Sequence, residues 1–224
     1  MFAAIKQLFH GLPALPAQWQ DKAIKDVPLL AVDLELTSLD VNNAKITSVG
    51  WVEGKNNSIN LNQCFYSVTR AKGDFAQSPV IHGITEGDVA YGIHIREVLN
   101  ALRQYAKTHL WLCHNASLDL GILQRVFHQT GIHCPDIVYL DTLQLAVYQL
   151  KKHHEVLPPN SATLSVCRQR LDLPAVPAHN ALDDAMATMQ LWFAQSHALN
   201  GSRNVKIGDL LHTRAISVRK MTPR

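Results

Sequence analysis

The 224-residue chain is expected to fold as an α/β protein, with a mixed sheet flanked by helices. Three features predict this. The length suits one sizeable core rather than two. Three short apolar segments follow one another between Leu29 and Val68, separated by turn residues, as in an antiparallel meander. Beyond Ile95, stretches of helical periodicity alternate with short apolar runs, the pattern of crossovers to parallel strands.

Taken in order, residues 1–27 read as a leader: a short apolar-basic helix, a Pro-interrupted stretch, then Trp19 and a charged piece. Leu29–Leu36 (LLAVDLEL) reads as a central strand buried on both faces. Ile46–Val52 is a second strand, and Ser58–Leu61 begins a third that extends toward Val68; Asn42-Asn43 and Gly54 to Asn57 supply the turns. Ile95–Ala106 is a helix with Val98, Leu99, Leu102 and Tyr105 as its apolar positions. Leu110–Cys113 is the fourth strand. Leu118–His128 is a helix with Leu118, Ile122 and Val126 on one stripe and Gly131 just past its end. Ile137–Leu140 is the fifth strand, and helices follow at Thr142–Leu150, Thr163–Arg170 and Ala181–Ala194. Residues 201–224 carry six Lys and Arg against Asp209 alone, a basic tail. The expected organisation is thus a leader over 1–27, a domain over 28–200 and a tail over 201–224.

Composition narrows the class. At 47% hydrophobic and 17% charged residues, with no low-complexity tract, the chain is globular rather than disordered. A formal charge of +3 and a pI near 8.7 are compatible with a polyanionic partner without demanding one. Cys64, Cys113, Cys134 and Cys167 form neither a CxxC pair nor a zinc-finger spacing, so reduced thiols are expected. The first twenty residues hold Lys6 as their one cation and are broken by Gly11, Pro13 and Pro16, a poor signal peptide. No apolar run approaches the ~18 residues of a membrane span. A cytoplasmic protein without membrane contact is expected.

The chemistry lies in the carboxylates. Asp33 and Glu35 interrupt an apolar run, and residues i and i+2 of a strand share a face. Two like charges on a buried strand need a proton or a cation, and a divalent metal is the economical solution. The other reading ends the strand near Val32 and leaves both acids solvated. Asp119 follows the fourth strand at a helix start, where an acid also serves simply to meet the helix dipole. His179 and Asp184 open the last long helix. Asp184 shares a face with small residues, whereas Asp183 is rotated about 100° away. A loop His suits proton transfer near neutrality, although a single such residue is commonly plain surface.

The order of these groups is more specific than any one of them. Asp33-Leu34-Glu35, His114-Asn115-Ala116-Ser117-Leu118-Asp119 and His179-Asn180-Ala181-Leu182-Asp183-Asp184-Ala185 resemble the three motifs of the DEDD exonuclease superfamily in its His-bearing (DEDDh) branch, which includes the epsilon proofreading subunit of bacterial DNA polymerase III and RNase T. Ile81-His82-Gly83-Ile84-Thr85 and Asp141-Thr142-Leu143 fit as ancillary stretches. The resemblance implies an RNase H-like fold with a five-stranded mixed sheet. It implies Asp33, Glu35, Asp119 and Asp184 as ligands of two Mg²⁺ or Mn²⁺ ions, and His179 as general base. The implied reaction is 3′→5′ hydrolysis that releases nucleoside 5′-monophosphates, with DNA ranked ahead of RNA. Thr37, His82 and Leu118 are the implied nucleotide contacts. Relatives commonly read Thr-Thr-Gly where this chain has Leu36-Thr37-Ser38, and Phe where it has Leu118. Loss of that Phe removes a stacking surface of about 1–3 kcal/mol per base, so the departures bear on substrate preference rather than on metal chemistry.

A DNA polymerase or a second copy of the chain is the expected protein partner. Two other classes are open to the same residues: a non-catalytic nucleic-acid-binding or polymerase-accessory module of the same fold, and a metal-dependent phosphoesterase. Retention of all five motif residues speaks against the first. The His179-to-Asp184 spacing and the His82-Gly83-Ile84-Thr85 stretch speak against the second.

Overall fold

A computed structural model of the chain describes residues 15–70, 86–177, 179–200 and 205–222. The apolar run Leu29–Leu36 (β1) does form a central strand. It pairs antiparallel with Ile46–Lys55 (β2), which in turn pairs antiparallel with Ser58–Val68 (β3). Leu110–Cys113 (β4) runs parallel to β1, and Ile137–Asp141 (β5) parallel to β4. The meander and the crossovers are therefore both present.

The strand count is corrected from five to six. Ile216–Arg219 (β6) closes the order β3-β2-β1-β4-β5-β6 by pairing antiparallel with β5, Leu140 opposite Ile216 and Ile137 opposite Arg219. This short strand lies within the stretch that composition marks as a basic tail. Four residues with a terminal Arg are too few for a visible alternation, and the signal that places them is the open edge of β5, which sequence does not display.

The even and odd positions of β1 feed two cores. Leu30, Val32, Leu34 and Leu36 pack with Val98, Leu99 and Leu102 of the helix Ile95–Leu102, and with Leu120, Leu123 and Phe127 of the helix Ala116–Thr130. Leu29 and Ala31 face the other side, toward Ala185, Met189 and Trp192 of the helix Ala181–Asn200. Asp33 and Glu35 continue this second face. The same core takes in Trp19 and Ile24 from the N-terminal side and Ile207, Leu210 and Ile216 from the C-terminal side. Ile24 N–H donates to the Val205 carbonyl and Ile207 N–H to that of Lys22, so the two flanking pieces are stitched to each other.

Helix ends differ from expectation by a few residues. Ile95–Leu102 stops four residues early and gives way to turns, while Ala181–Asn200 runs six residues further than its pattern suggests. The helix Glu86–Tyr91 has no periodic signature. Thr142–Leu150 and Leu164–Arg170 stand near the expected limits. Among the described residues no helix is long and apolar enough to cross a membrane.

Candidate active site

The end of β1 is built to collect carboxylates. Asp33 stands opposite Gly50 of β2 and Glu35 opposite Ser48, both on the face covered by the helix Ala181–Asn200. That helix approaches β2 unusually closely. A Cβ at Gly50 would lie 2.3 Å from the Ala181 carbonyl carbon and 2.3 Å from the Leu182 nitrogen. Glycine here is a condition for the approach, because any side chain would occupy the helix backbone. With the helix seated, ligand atoms of Asp33, Glu35 and Asp184 all lie within 4.8 Å of one another.

Local hydrogen bonds set Asp184. Asn180 caps the helix by accepting from the Leu182 and Asp183 N–H groups at 3.0 and 3.2 Å. Asp184, the fourth helical residue, turns back and accepts the His179 N–H at 3.0 Å. This reciprocal arrangement explains the sequence His-Asn-Ala-Leu-Asp-Asp: Asn caps, the second Asp closes the cap, and Asp183 stays on another face. It also fixes His179, whose backbone is left-handed (φ 70°) and whose side chain is exposed beside the cluster.

Asp119 comes from the helix Ala116–Thr130 and is buried. It lies outside the tight triple, yet close enough that its charge acts on Asp33, and that of Glu35 acts on it. Asp141 holds this helix in place. Its carboxylate accepts N–H groups of Asn115 and Ala116 at 3.1 and 3.0 Å, and those of Leu143 and Gln144 at 2.9 and 3.3 Å. One buried acid at the end of β5 thus caps two helices. His114 ties the same corner together. Its Nε2 meets the Ala162 carbonyl at 2.9 Å and must carry the proton, leaving Nδ1 to accept from the Thr142 hydroxyl at 2.9 Å. Burial pushes the His114 pKa down to about 4, so the ring is a neutral structural link.

Electrostatics at the cluster are strained in one direction. Burial first, then Asp119, Asp184 and Glu35, raise the Asp33 carboxyl well above its ordinary value. Burial and Asp184 push Glu35 up to about 7. Asp119 is raised well above its usual range by burial, then by Asp141 and Glu35. Burial raises Asp184 too, against the His179 N–H that favours its charged form. Such a group holds protons or cations. All its donors are oxygen, which suits hard divalent ions such as Mg²⁺ or Mn²⁺.

The remaining expected residues fall as follows. Thr37 sits just past β1, half-buried, and its hydroxyl oxygen accepts the Lys45 N–H at 2.9 Å. Leu118 is half-buried at the edge of the core next to Asp119. His82 and the rest of residues 81–85 lie outside the described residues. Gly50 and the buried Arg168 escape sequence reasoning. A glycine inside an apolar strand was the available sign of close approach; nothing in the run Leu164–Arg170 marks Arg168 as buried.

Comparison with known proteins bears on this arrangement. The RNase T exonuclease family model matches residues 30–192. The PolC-type DNA polymerase III of Caldanaerobacter subterraneus is 25% identical over 217 residues, covering 94% of this chain and 15% of that protein. The PolC-type polymerase of Listeria monocytogenes is 23% identical over 202 residues, covering 88% of this chain and 13% of its own length. The chain therefore spans about a seventh of these relatives. Among solved structures, exonuclease X in complex with 5′-overhanging duplex DNA superposes with a TM-score of 0.60 at 22% identity, over 82% of this chain and 99% of that one. The nuclease domain of 3′hExo, a DEDDh family member bound to rAMP, gives 0.59 at 13% identity, over 83% and 98%. These likenesses establish the RNase H-like exonuclease fold.

Proposed function

This chain belongs to the exonuclease family of 3′→5′ hydrolases, and from that premise we propose that it removes nucleotides from nucleic-acid 3′ ends with the help of two divalent metal ions. The observation that carries the reading is the convergence of Asp33, Glu35 and Asp184 within 4.8 Å, with every carboxyl raised by burial and by its neighbours. Asp33, Glu35 and Asp184, with Asp119 beside them, would hold the ions.

When bound, the pair of ions lowers the pKa of the attacking water and offsets charge on the leaving 3′ oxygen. The chain supplies the rest. The buried strand keeps Asp33 and Glu35 fixed on one face, so the carboxylates need no reorganisation during the reaction. An imidazole nitrogen of His179 takes the proton of the attacking water. The water oxygen forms a bond to phosphorus, the bond from phosphorus to the 3′ oxygen breaks, and that oxygen is protonated. The products are a nucleoside 5′-monophosphate and a strand one residue shorter. Thr37, Leu118 and His82 contact the terminal nucleotide.

DNA is the favoured substrate over RNA, on the support of the PolC-type polymerase relatives. The same support makes a DNA polymerase the favoured protein partner, with a second copy of the chain as the other candidate. The exonuclease motifs fall within 28–200, and the segments on either side complete the sheet and core around them. The free, exposed thiol of Cys64 suits a reducing compartment such as the cytoplasm.

A substrate panel tests this. With Mg²⁺ or Mn²⁺, a 3′-labelled single strand should lose its label first, as the nucleoside monophosphate, while a 5′-labelled one shortens stepwise. Retention of the 3′ label at every metal concentration would sink the reading. Cleavage of a simple phosphomonoester alone would reassign the site to a phosphoesterase. Comparison of single-stranded DNA, duplex DNA and short RNA ranks the substrates.

A further inference from the structure

Among the described residues Arg168 is the only buried cation among Lys and Arg, at 2% exposure. It lies near the end of the helix Leu164–Arg170, outside all three exonuclease motifs. Its guanidinium makes a fork. Nη1 donates to the Ala187 carbonyl at 2.9 Å, and Nη2 to the Pro174 carbonyl at 2.8 Å. Ala187 is in the helix that carries Asp184, three residues further on. Pro174 is in the loop that runs from Leu171 toward His179. The Arg168 backbone carbonyl adds two tethers to that loop, accepting from Leu171 and Leu173 N–H groups at 3.0 Å each.

A guanidinium in such a place is costly. Burial pulls its pKa down, and Asp184 is the carboxylate whose charge opposes this. A residue needed only to fill space would be apolar and would avoid that cost. What an apolar side chain lacks is the fork, and Lys, with a single ammonium, cannot reproduce it. The two carbonyls it bridges belong to the two elements that must stay in register for His179 and Asp184 to act together. The same loop lines a cleft of about 860 Å³ together with Thr163, Leu164, His179 and Asp184.

We propose that Arg168 is a positioning residue: its guanidinium ties the loop that carries His179 to the helix that carries Asp184, and so holds the base in place beside the metal-binding carboxylates. This rests on the exonuclease reading for the roles of His179 and Asp184, but the tether itself is measurable without activity.

The test compares wild type with Arg168→Met, which keeps an unbranched apolar stem but has no donors, and with Arg168→Lys. Four quantities are read: kcat and KM on a 3′-labelled single strand, Mn²⁺ affinity by titration, and hydrogen exchange of the His179 amide against amides of Leu30–Val32. In Arg168→Met, kcat falls on the order of 100-fold, as for a displacement near 1 Å, while KM and Mn²⁺ affinity stay within about threefold. Exchange at His179 rises at least about tenfold with the strand amides unchanged. Arg168→Lys keeps the charge and one bond, and recovers part of kcat and part of the protection. Wild-type kcat and exchange in a folded Arg168→Met overturn the proposal. So does a uniform loss, in which strand exchange, Mn²⁺ affinity and kcat all suffer together, because that marks a purely structural residue. If Arg168→Met does not fold, Arg168→Lys decides: selective exchange at His179 with reduced kcat supports the tether, and wild-type values in both overturn it. A wild-type protein inert on nucleic acid would remove the exonuclease reading, and the exchange comparison would still decide whether Arg168 holds the loop.

Discussion

Replacing Gly50 by Ala tests whether close approach of one helix is what assembles the site. A Cβ there would sit 2.3 Å from the backbone of Ala181 and Leu182, whereas ordinary contact begins at 3.4 Å. The obstacle is backbone at a helix start, so it cannot rotate away, and the start of the helix must retreat by about 1 Å. Asp184 retreats with it, while Asp33 and Glu35 stay on β1. Overpacking of this kind costs about 1–3 kcal/mol of stability, and a misplacement near 1 Å costs roughly 100-fold in rate. Gly54→Ala is the internal control: its Cβ would meet the end of the flexible Met189 side chain at 2.9 Å and the Ser58 carbonyl oxygen at 3.0 Å, so its strain falls on Met189 and the β2–β3 turn rather than on the helix start before Asp184. The assay is release of a 3′-terminal nucleotide at saturating Mn²⁺, beside a thermal melt of each variant. Gly50→Ala should remain folded and lose about two orders of magnitude in kcat, with Gly54→Ala within about threefold of wild type. A folded Gly50→Ala of normal activity would refute the idea that this contact sets the metal geometry.

Other changes separate the roles of single residues. His179→Ala should reduce kcat far more than Mn²⁺ affinity measured by titration, and equal damage to both would argue against its role as base. Asp184→Asn should cripple turnover and Asp183→Asn should not, since only Asp184 faces Asp33; a reversal in the activity assay would show the helix facing the wrong way. Asp141→Asn places an amide where the carboxylate now accepts four N–H groups. It should lower the melting free energy by about 1–3 kcal/mol and reduce activity through Asp119. The sign of the pH dependence follows from Glu35, whose pKa is about 7 in the folded metal-free chain against 4.5 unfolded. Its contribution to stability is complete below about 4.5 and is lost as pH rises toward 7. His114, held near 4, changes in the opposite sense below its ordinary 6.5, so the two offset each other in the metal-free protein. The melting shift caused by Mg²⁺ isolates the carboxylates, because His114 is in both samples. That shift should grow from pH 5.5 to 7.5, and a shift independent of pH would contradict proton release on metal binding.

The site was legible to different depths. Asp33 and Glu35 announce themselves because an i, i+2 acid pair inside LLAVDLEL violates the burial expected of that strand. Asp184 and His179 were readable as the start of the last long helix, whereas the cap that Asn180 and Asp184 make there appears only in the structure. Asp119 was ambiguous for a physical reason: an acid at a helix start is favourable with or without a metal. Here Asp141 accepts the N–H groups of Asn115 and Ala116 at that helix start, while Asp119, in the first turn, is buried where its charge meets those of Asp33 and Glu35. The sixth strand was hidden because four residues show too little alternation. The packing of Trp19 and Ile207 into one core was hidden because it joins segments nearly the whole chain apart.

By itself, the sequence determines the order of the first five strands and of the longer helices between and after them, and the face that Asp33 and Glu35 share. These follow from periodicity and from turn residues, both of which act over a few residues. Only the tertiary structure decides that Gly50 admits a helix backbone, that Asp141 caps two helices at once, and that Arg168 bridges two carbonyls in the interior. Each of those depends on groups brought together across the sheet, and such pairings leave no local mark on the chain.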